Sequence, residues 1–311
     1  MRILVTGVSG YVGAALVPRL QLAGHDVRGF ARVPERVLAA GVQLDDLVVG
    51  DAVSGAGLGR ALDGIDAAYY LIHSMEGPAN SGAGGFSYHE RRAADRFATA
   101  ARAAGVRRIV YLGGLVPQET RASRHLASRL AVEEALLAAA DEPIALRASI
   151  VVGARSRSFR FLVRLIERLP VLALPAWREH RTQPIDGRDV LAFLVAAADA
   201  PAALAGRSWD IAGPEAMTYQ RLIERIAELM LVRRPAIRLG FSLTPVASVV
   251  AAAVAAEDAG FITPLMESLE SDLLPRDHDA AGAFGVRLHS FDAAVERALR
   301  EWEQIEEVAA K

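Results

Sequence analysis

Met1-Arg2-Ile3-Leu4-Val5-Thr6-Gly7-Val8-Ser9-Gly10-Tyr11-Val12-Gly13 opens the chain. Ile3 to Val5 is a short, partly β-branched apolar run of the kind that forms a buried strand. It breaks at Thr6-Gly7. Gly10 and Gly13 follow at three-residue spacing, and an apolar-periodic segment (Val12, Leu16, Leu20) runs on to Gly24. The order is strand, glycine turn, helix. Gly7 permits the tight turn, Gly10 lets the backbone approach a pyrophosphate, and Gly13 lets helix and strand pack closely. The helix N-terminus then offers free N–H groups and partial positive charge to phosphate. A second strand, Asp26 to Ala31, arrives on schedule for a βαβ unit. The stretch predicts a dinucleotide site with Gly7, Ser9, Gly10, Tyr11, Val12 and Gly13 against the cofactor.

Outward from this turn, strands and helices alternate. Strands are expected at Asp46 to Val49, Ala67 to Ile72, Arg108 to Leu112 and Ile144 to Arg147. Helices are expected at Leu58 to Leu62, Tyr88 to Ala104 and Arg124 to Ala140, and Gly77 to Gly85 reads as a glycine-rich loop. This rhythm means parallel strands with crossover helices on both faces. From Ser149 the alternation loosens. Helices are expected at Ser158 to Leu169, Asp189 to Ala198, Thr218 to Val232, Thr244 to Ala256, Pro264 to Leu273 and Phe291 to Trp302, with one strand-like run at Ser208 to Ile211. Asp189 and Thr218 sit where helix caps or first-turn acids belong. The division is residues 1–150 for the dinucleotide-binding part and 151–311 for a smaller, mostly helical substrate lobe interleaved with it.

Composition narrows the function. An apolar fraction of 52% with a net charge of −2 describes a globular protein and argues against an electrostatic nucleic-acid binder. No cysteine is present, so thiol chemistry, disulfides and cysteine metal sites are excluded. The histidines form no ligand pair, so no metal is expected. The N-terminus is strand-like from the start, and the apolar run Pro245 to Ala256 is too short to span a bilayer. A cytoplasmic protein without a membrane partner is therefore expected, its oligomeric state open, a homodimer included. Of the 35 lysines and arginines only Lys311 is a lysine, so no mechanism can use an interior one.

In open α/β sheets ligands bind beyond the carboxyl ends of the strands. Those ends are Thr6-Gly7, Arg32, Gly50-Asp51, His73-Ser74, Gly113-Gly114 and Ser149, with Ala52 and Leu71 beside them. Arg32 replaces the acid that usually reads a ribose 2′-hydroxyl, and a guanidinium suits a 2′-phosphate. NADP(H) is thus expected over NAD(H). Asp51 is placed to accept from an adenine amino group, or to cap a turn. His73, with Ser74, is a candidate proton donor at the nicotinamide end, or a structural residue. His125 and Arg129 stand four apart on one helical face, either turned to the crevice or to solvent.

The motifs Thr6-Gly7-x-x-Gly10-x-x-Gly13, Gly50-Asp51, Tyr70-Leu71-Ile72-His73-Ser74-Met75, Tyr111-Leu112-Gly113-Gly114-Leu115 and His125-x-x-Ser128-Arg129 together resemble the atypical, extended-type short-chain dehydrogenase/reductases of the NAD(P)-binding Rossmann superfamily. Arg181 to Val190 and Trp209 to Pro214 resemble the same family's C-terminal lobe. There is also similarity to NmrA-like regulators, which share the fold and bind dinucleotide without evident turnover. The resemblance implies a doubly wound parallel Rossmann sheet, a bound nicotinamide cofactor and a small-molecule substrate.

One departure is marked. The main family carries Tyr-x-x-x-Lys on this helix, and His125 and Arg129 stand at those positions, with Gly113 and Gly114 where a helper serine belongs. Arginine still contacts ribose or phosphate but cannot deprotonate. Histidine still shuttles protons, although Arg129 disfavours its imidazolium. The expectation is an NAD(P)H-dependent oxidoreductase acting on a small apolar carbonyl, enone or quinone-like substrate, with Phe159, Phe161, Trp177, Phe241, Phe261 and Leu265 lining a pocket or packed as core. The alternatives are a redox-neutral isomerase, epimerase or cyclase on the same fold, or a non-enzymatic NADP-binding sensor.

Overall fold

The computed structural model describes residues 1–72, 83–118, 123–238 and 266–304. The strands β1 (Arg2–Thr6), β2 (Asp26–Ala31), β3 (Asp46–Val49), β4 (Ala67–Tyr70), β5 (Arg108–Gly114) and β6 (Ile144–Ala148) alternate with helices α1 (Tyr11–Leu22), α2 (Pro34–Ala39), α3 (Leu58–Leu62), α4 (Ala83–Ala103) and α5 (Arg124–Leu137). The short β7 (Val151–Val152) and α6 (Arg157–Arg168) follow. After them come β8 (Leu172–Leu174), β9 (Arg181–Thr182), β10 (Ile185–Asp186), α7 (Gly187–Ala198), β11 (Arg207–Ile211), β12 (Met217–Thr218), α8 (Tyr219–Leu229), β13 (Ala236–Arg238), α9 (Ala280–Ala283) and α10 (Phe291–Glu303).

Seven strands form one sheet in the order β3-β2-β1-β4-β5-β6-β11, and every pairing in it is parallel. Strands covered on both faces read as unbroken apolar runs, and Ile3, Leu4 and Val5 are all fully buried. The strand order reverses between β1 and β4, where an open α/β sheet places its ligand crevice. One sheet face packs against α1, α7 and α9, and the other against α3, α4 and α5. Fully burying each such aliphatic or aromatic side chain contributes about 1.5–3 kcal/mol.

Beyond residue 150 the chain does not stay in one body. β11 returns to the sheet edge beside β6, and α7 packs along α1. Arg108, buried in β5, donates to the carbonyls of Ala197, Ala198 and Ala200 at the C-terminal end of α7, satisfying groups that the helix leaves without partners. Helices α6, α8 and α10 enclose a separate apolar cluster. Phe159, Phe161 and Trp177 are buried within that cluster, as core.

Thr218 caps α8, accepting from the Arg221 N–H at 3.1 Å. Of the two readings of Asp189 the structure realises the first-turn acid of α7, while the cap is Asp186, accepting from the Arg188 N–H at 2.7 Å. Asp189 is buried and holds His289, whose Nδ1 lies 2.5 Å from a carboxylate oxygen. Burial raises the Asp189 pKa, partly offset by the hydrogen bonds and charge of His289. The helix expected over Pro264 to Leu273 breaks in its described part, since Leu273 bridges to Thr182. Ala83 to Gly85, expected in a loop, belong to α4. Phe241, Phe261, Leu265 and the run Thr244 to Ala256 lie outside the described residues.

Candidate active site

The turn after β1 has the geometry its glycines predict. Gly7 has φ +69°, and a Cβ there would lie 2.7 Å from the Leu71 carbonyl oxygen. The Gly10 N–H donates to the Gly7 carbonyl at 2.9 Å, and Gly10 is the N-cap of α1 with no side chain over the helix end. No acid occupies the first turn of α1. The first N–H groups of the helix therefore face the crevice without side-chain or acidic competition. Gly13 packs against the turn itself: a Cβ there would come within 2.8 Å of the Gly7 carbonyl carbon and closer to its oxygen.

Thr6 fastens β1 to β4 at the mouth of the crevice. Its hydroxyl donates to the Tyr69 carbonyl at 3.0 Å and accepts from the Leu71 N–H at 3.1 Å, and the residue is fully buried. Leu71 and Ile72 thereby form one wall of a cavity of about 600 Å³. That volume is within the range of small-molecule and cofactor sites. Gly7, Ser9 and Gly10 line it together with Arg32, Arg36, Asp51, Ala52 and Arg155. Three arginines and one carboxylate among the lining residues suit an anionic ligand.

Seven expected cofactor residues meet in this cavity: Gly7, Ser9, Gly10, Arg32, Asp51, Ala52 and Leu71. Arg32 is exposed at the end of β2. Asp51 is committed locally: its carboxylate accepts from the N–H groups of Val53 at 3.2 Å and Ser54 at 3.1 Å. Burial raises its pKa, but these hydrogen bonds and the charge of Arg32 outweigh that and hold it below the usual value of 3.8. The turn-capping role is therefore realised, and an adenine contact would have to share the same carboxylate.

The remaining described residues of the expected set are not among those that line this cavity. The Tyr11 side chain leaves the cavity and inserts its hydroxyl end between Gly153 and Gly187, where any Cβ would collide with it. Burial, with the charges of Glu301 and Asp186, pushes the Tyr11 pKa up to about 12. Val12 packs with the α1-side core, and Gly13 serves the turn. Gly113 is packed against Tyr111, and the Ser149 hydroxyl meets that of Thr182 at 3.2 Å. Neither lines the cavity.

Arg129 departs most from expectation. Its guanidinium donates to the Leu112 carbonyl, lies 3.6 Å from buried Glu90 and stacks 5.2 Å from the Tyr111 ring centre. Ser128 donates to the same Glu90 at 2.7 Å. These neighbours make Ser128 and Arg129 a brace between α5, α4 and β5. Arg129 does not line the cavity. His73 and Ser74 lie outside the described residues; His125 falls in the first turn of α5, its side chain outside the description.

Arg36 and Arg155 carried no local signal. Arg36 is one turn into α2, beyond the strand end. Arg155 follows β7, more than a hundred residues from the glycine turn, and reaches the cavity only through folding.

Residues 7–149 match the model of a family described as NAD(P)H-binding. The chain is 30% identical over 235 residues to the (4-alkanoyl-5-oxo-2,5-dihydrofuran-3-yl)methyl phosphate reductase of Streptomyces griseus, covering 73% of each chain. It is 29% identical over 261 residues to the 2-alkyl-3-oxoalkanoate reductase of Stenotrophomonas maltophilia, covering 73% of this chain and 74% of that one. Among solved structures it superposes with a TM-score of 0.71 on a short-chain dehydrogenase/reductase superfamily protein from Agrobacterium tumefaciens with bound NAD, at 21% identity and 98% coverage of both chains. The Thermotoga maritima UDP-glucose 4-epimerase with UDP-glucose gives 0.73 at 13% identity, covering 98% of this chain and 99% of that one. Both structural likenesses concern the fold. Among the described residues no helix is long and apolar enough to cross a membrane, and no cluster of three or more metal-ligating side chains occurs.

Proposed function

Since the chain belongs to the atypical short-chain dehydrogenase/reductase family, we propose that it is an NADP(H)-dependent reductase of a small apolar carbonyl, enone or quinone-like substrate. The observation that carries the reading is the cavity at the strand-order reversal, where an unobstructed helix N-terminus and the Arg32 guanidinium share one space. The residues present fit the cofactor. The turn from Gly7 to Gly10 and the first N–H groups of α1 suit the diphosphate. Arg32 suits a 2′-phosphate by its fork of donors. Leu71 and Ile72 give the apolar wall. When bound, the cofactor supplies the hydride; the protein supplies orientation, electrostatics and exclusion of water.

Two relatives with reductase names support the direction of the reaction. We assign proton donation to His73 or His125, because imidazole exchanges protons near neutral pH. Arg129 we assign to holding α5 and β5 together, given its contacts with Leu112 and Glu90. A redox-neutral reaction retains one argument, the absence of an interior lysine to tune a proton relay.

The test is calorimetric titration with NADPH and NADH, then NADPH oxidation across ketones, enones and quinones. Tighter binding of NADPH, lost on Arg32→Ala, and turnover of at least one acceptor class are expected. No binding of either dinucleotide refutes the reading. Turnover that persists after the dinucleotide is stripped out favours the redox-neutral reaction.

A further inference from the structure

Arg155 is the residue whose position the family reading leaves unused. It lies in the segment between β7 and α6, in the part of the chain beyond the sixth strand, yet it lines the same cavity as Gly7, Ser9 and Gly10. Its side chain is exposed, and among the described residues it forms no ion pair or side-chain hydrogen bond. Other arginines of this chain are committed: Arg147 to Glu133 at 2.7 Å, Arg276 to Asp210 at 2.7 Å, Arg28 to Asp46 at 2.7 Å. Two residues before Arg155, Gly153 accommodates the hydroxyl end of Tyr11, the first residue of α1. The missing Cβ at Gly153, and again at Gly187, lets that ring pin the β7–α6 segment to the start of α1. The segment that carries Arg155 is thus held at the helix end that attracts anions.

We infer that Arg155 is a second anion-binding residue, a clasp that closes on the cofactor's diphosphate from the side opposite the glycine turn, while Arg32 serves the 2′-phosphate. The inference rests on the cofactor reading above and assigns the two phosphate groups to different arginines. Position separates them. Arg32 lies at the end of β2 beside Asp51, whose pKa it lowers; Arg155 is tethered through Tyr11 to the start of α1. The diphosphate is common to NAD(H) and NADP(H), so Arg155 strengthens binding of both without choosing between them. It also makes one bound cofactor bridge the sheet and the segment leading into α6. A guanidinium–phosphate pair is a charge-assisted, bidentate contact, and its loss costs about tenfold in affinity.

A crossed fragment experiment tests this. ADP carries the diphosphate without a 2′-phosphate, and 2′-AMP carries the reverse. Calorimetry with the wild type, Arg155→Ala, Arg155→Lys and Arg32→Ala should show Arg155→Ala weakening ADP, NADH and NADPH by one common factor of about tenfold. It should leave 2′-AMP unchanged. Arg155→Lys should recover part of the loss, and Arg32→Ala should show the opposite pattern, weakening 2′-AMP and NADPH only. Because Arg155 is exposed, circular dichroism should show the variants folded as the wild type. Unchanged ADP affinity in Arg155→Ala, or loss of 2′-AMP in place of ADP, overturns the assignment while leaving cofactor binding standing. A wild type that binds none of the four ligands overturns both.

Discussion

Replacing Gly13 by alanine separates a structural turn from an ordinary helix residue. In an unobstructed helix interior this change stabilises by about 1 kcal/mol, because alanine loses less backbone freedom than glycine. Here the added methyl would lie 2.8 Å from the Gly7 carbonyl carbon and 3.1 Å from Val8 Cα, both backbone atoms. The Gly7 carbonyl is already fixed by the Gly10 N–H at 2.9 Å, so it cannot rotate aside without breaking the turn. Overpacking of this kind costs about 1–3 kcal/mol, and a rigid backbone obstacle belongs at the upper end. The net is a destabilisation of about 1–2 kcal/mol, opposite in sign to the helix-propensity effect. Urea unfolding of Gly13→Ala against the wild type, with slopes compared, measures it. Gly10→Ala is the control, since its Cβ would meet the Gly7 oxygen at 3.2 Å and should be milder. A Gly13→Ala protein as stable as the wild type, or more so, would refute the packing of the turn.

Thr6→Val removes a hydroxyl that both donates to Tyr69 and receives from Leu71; unfolding should show a loss of about 2 kcal/mol for the two buried groups left without it. Arg129→Met leaves the Glu90 carboxylate without its neighbouring guanidinium; a loss of about 3 kcal/mol is expected in the same assay. Adding Glu90→Gln should recover part of it, and NADPH affinity should change less than stability does. Asp51 has a folded-state pKa lowered below 3.8, so its contribution is complete above that value and is lost as pH falls through the lowered folded value. Asp51→Asn should therefore flatten the acid limb of a pH–stability profile below about pH 4, and an unchanged limb would contradict the turn-capping role.

The sheet was legible because buried parallel strands are written as contiguous apolar runs bounded by glycine and charge. Asp26 to Ala31, Asp46 to Val49 and the short helix Leu58 to Leu62 have the boundaries their residues predict. β1 runs one residue further at each end than expected, and β4 stops two residues short, at Tyr70. The pieces after residue 150 were harder for a physical reason. β7, β9, β10 and β12 are two residues each and exist only through their partners, so no periodicity announces them. Ser208 to Ile211 read as a strand, but nothing local says that it pairs with β6.

At the site, residues adjacent to the glycine turn or at strand ends were readable because topology fixes where strand ends lie. Arg32 and Asp51 are of this kind. The Tyr11 side chain was not legible because it parts company with its backbone: Tyr11 begins α1 beside the glycine turn, while its ring fills the space left by Gly153 and Gly187. The partners of Arg129 were not legible because helical spacing gives a face but not what that face meets. The buried Glu90 comes from α4, and only the packed structure sets it beside Ser128 and Arg129.

A crystal structure with NADPH bound should place the diphosphate against the N–H groups at the start of α1, above Gly7 and Gly10, with the 2′-phosphate within hydrogen-bonding reach of Arg32. An empty crevice at saturating NADPH, or a diphosphate seated away from the glycine turn, would contradict this placement.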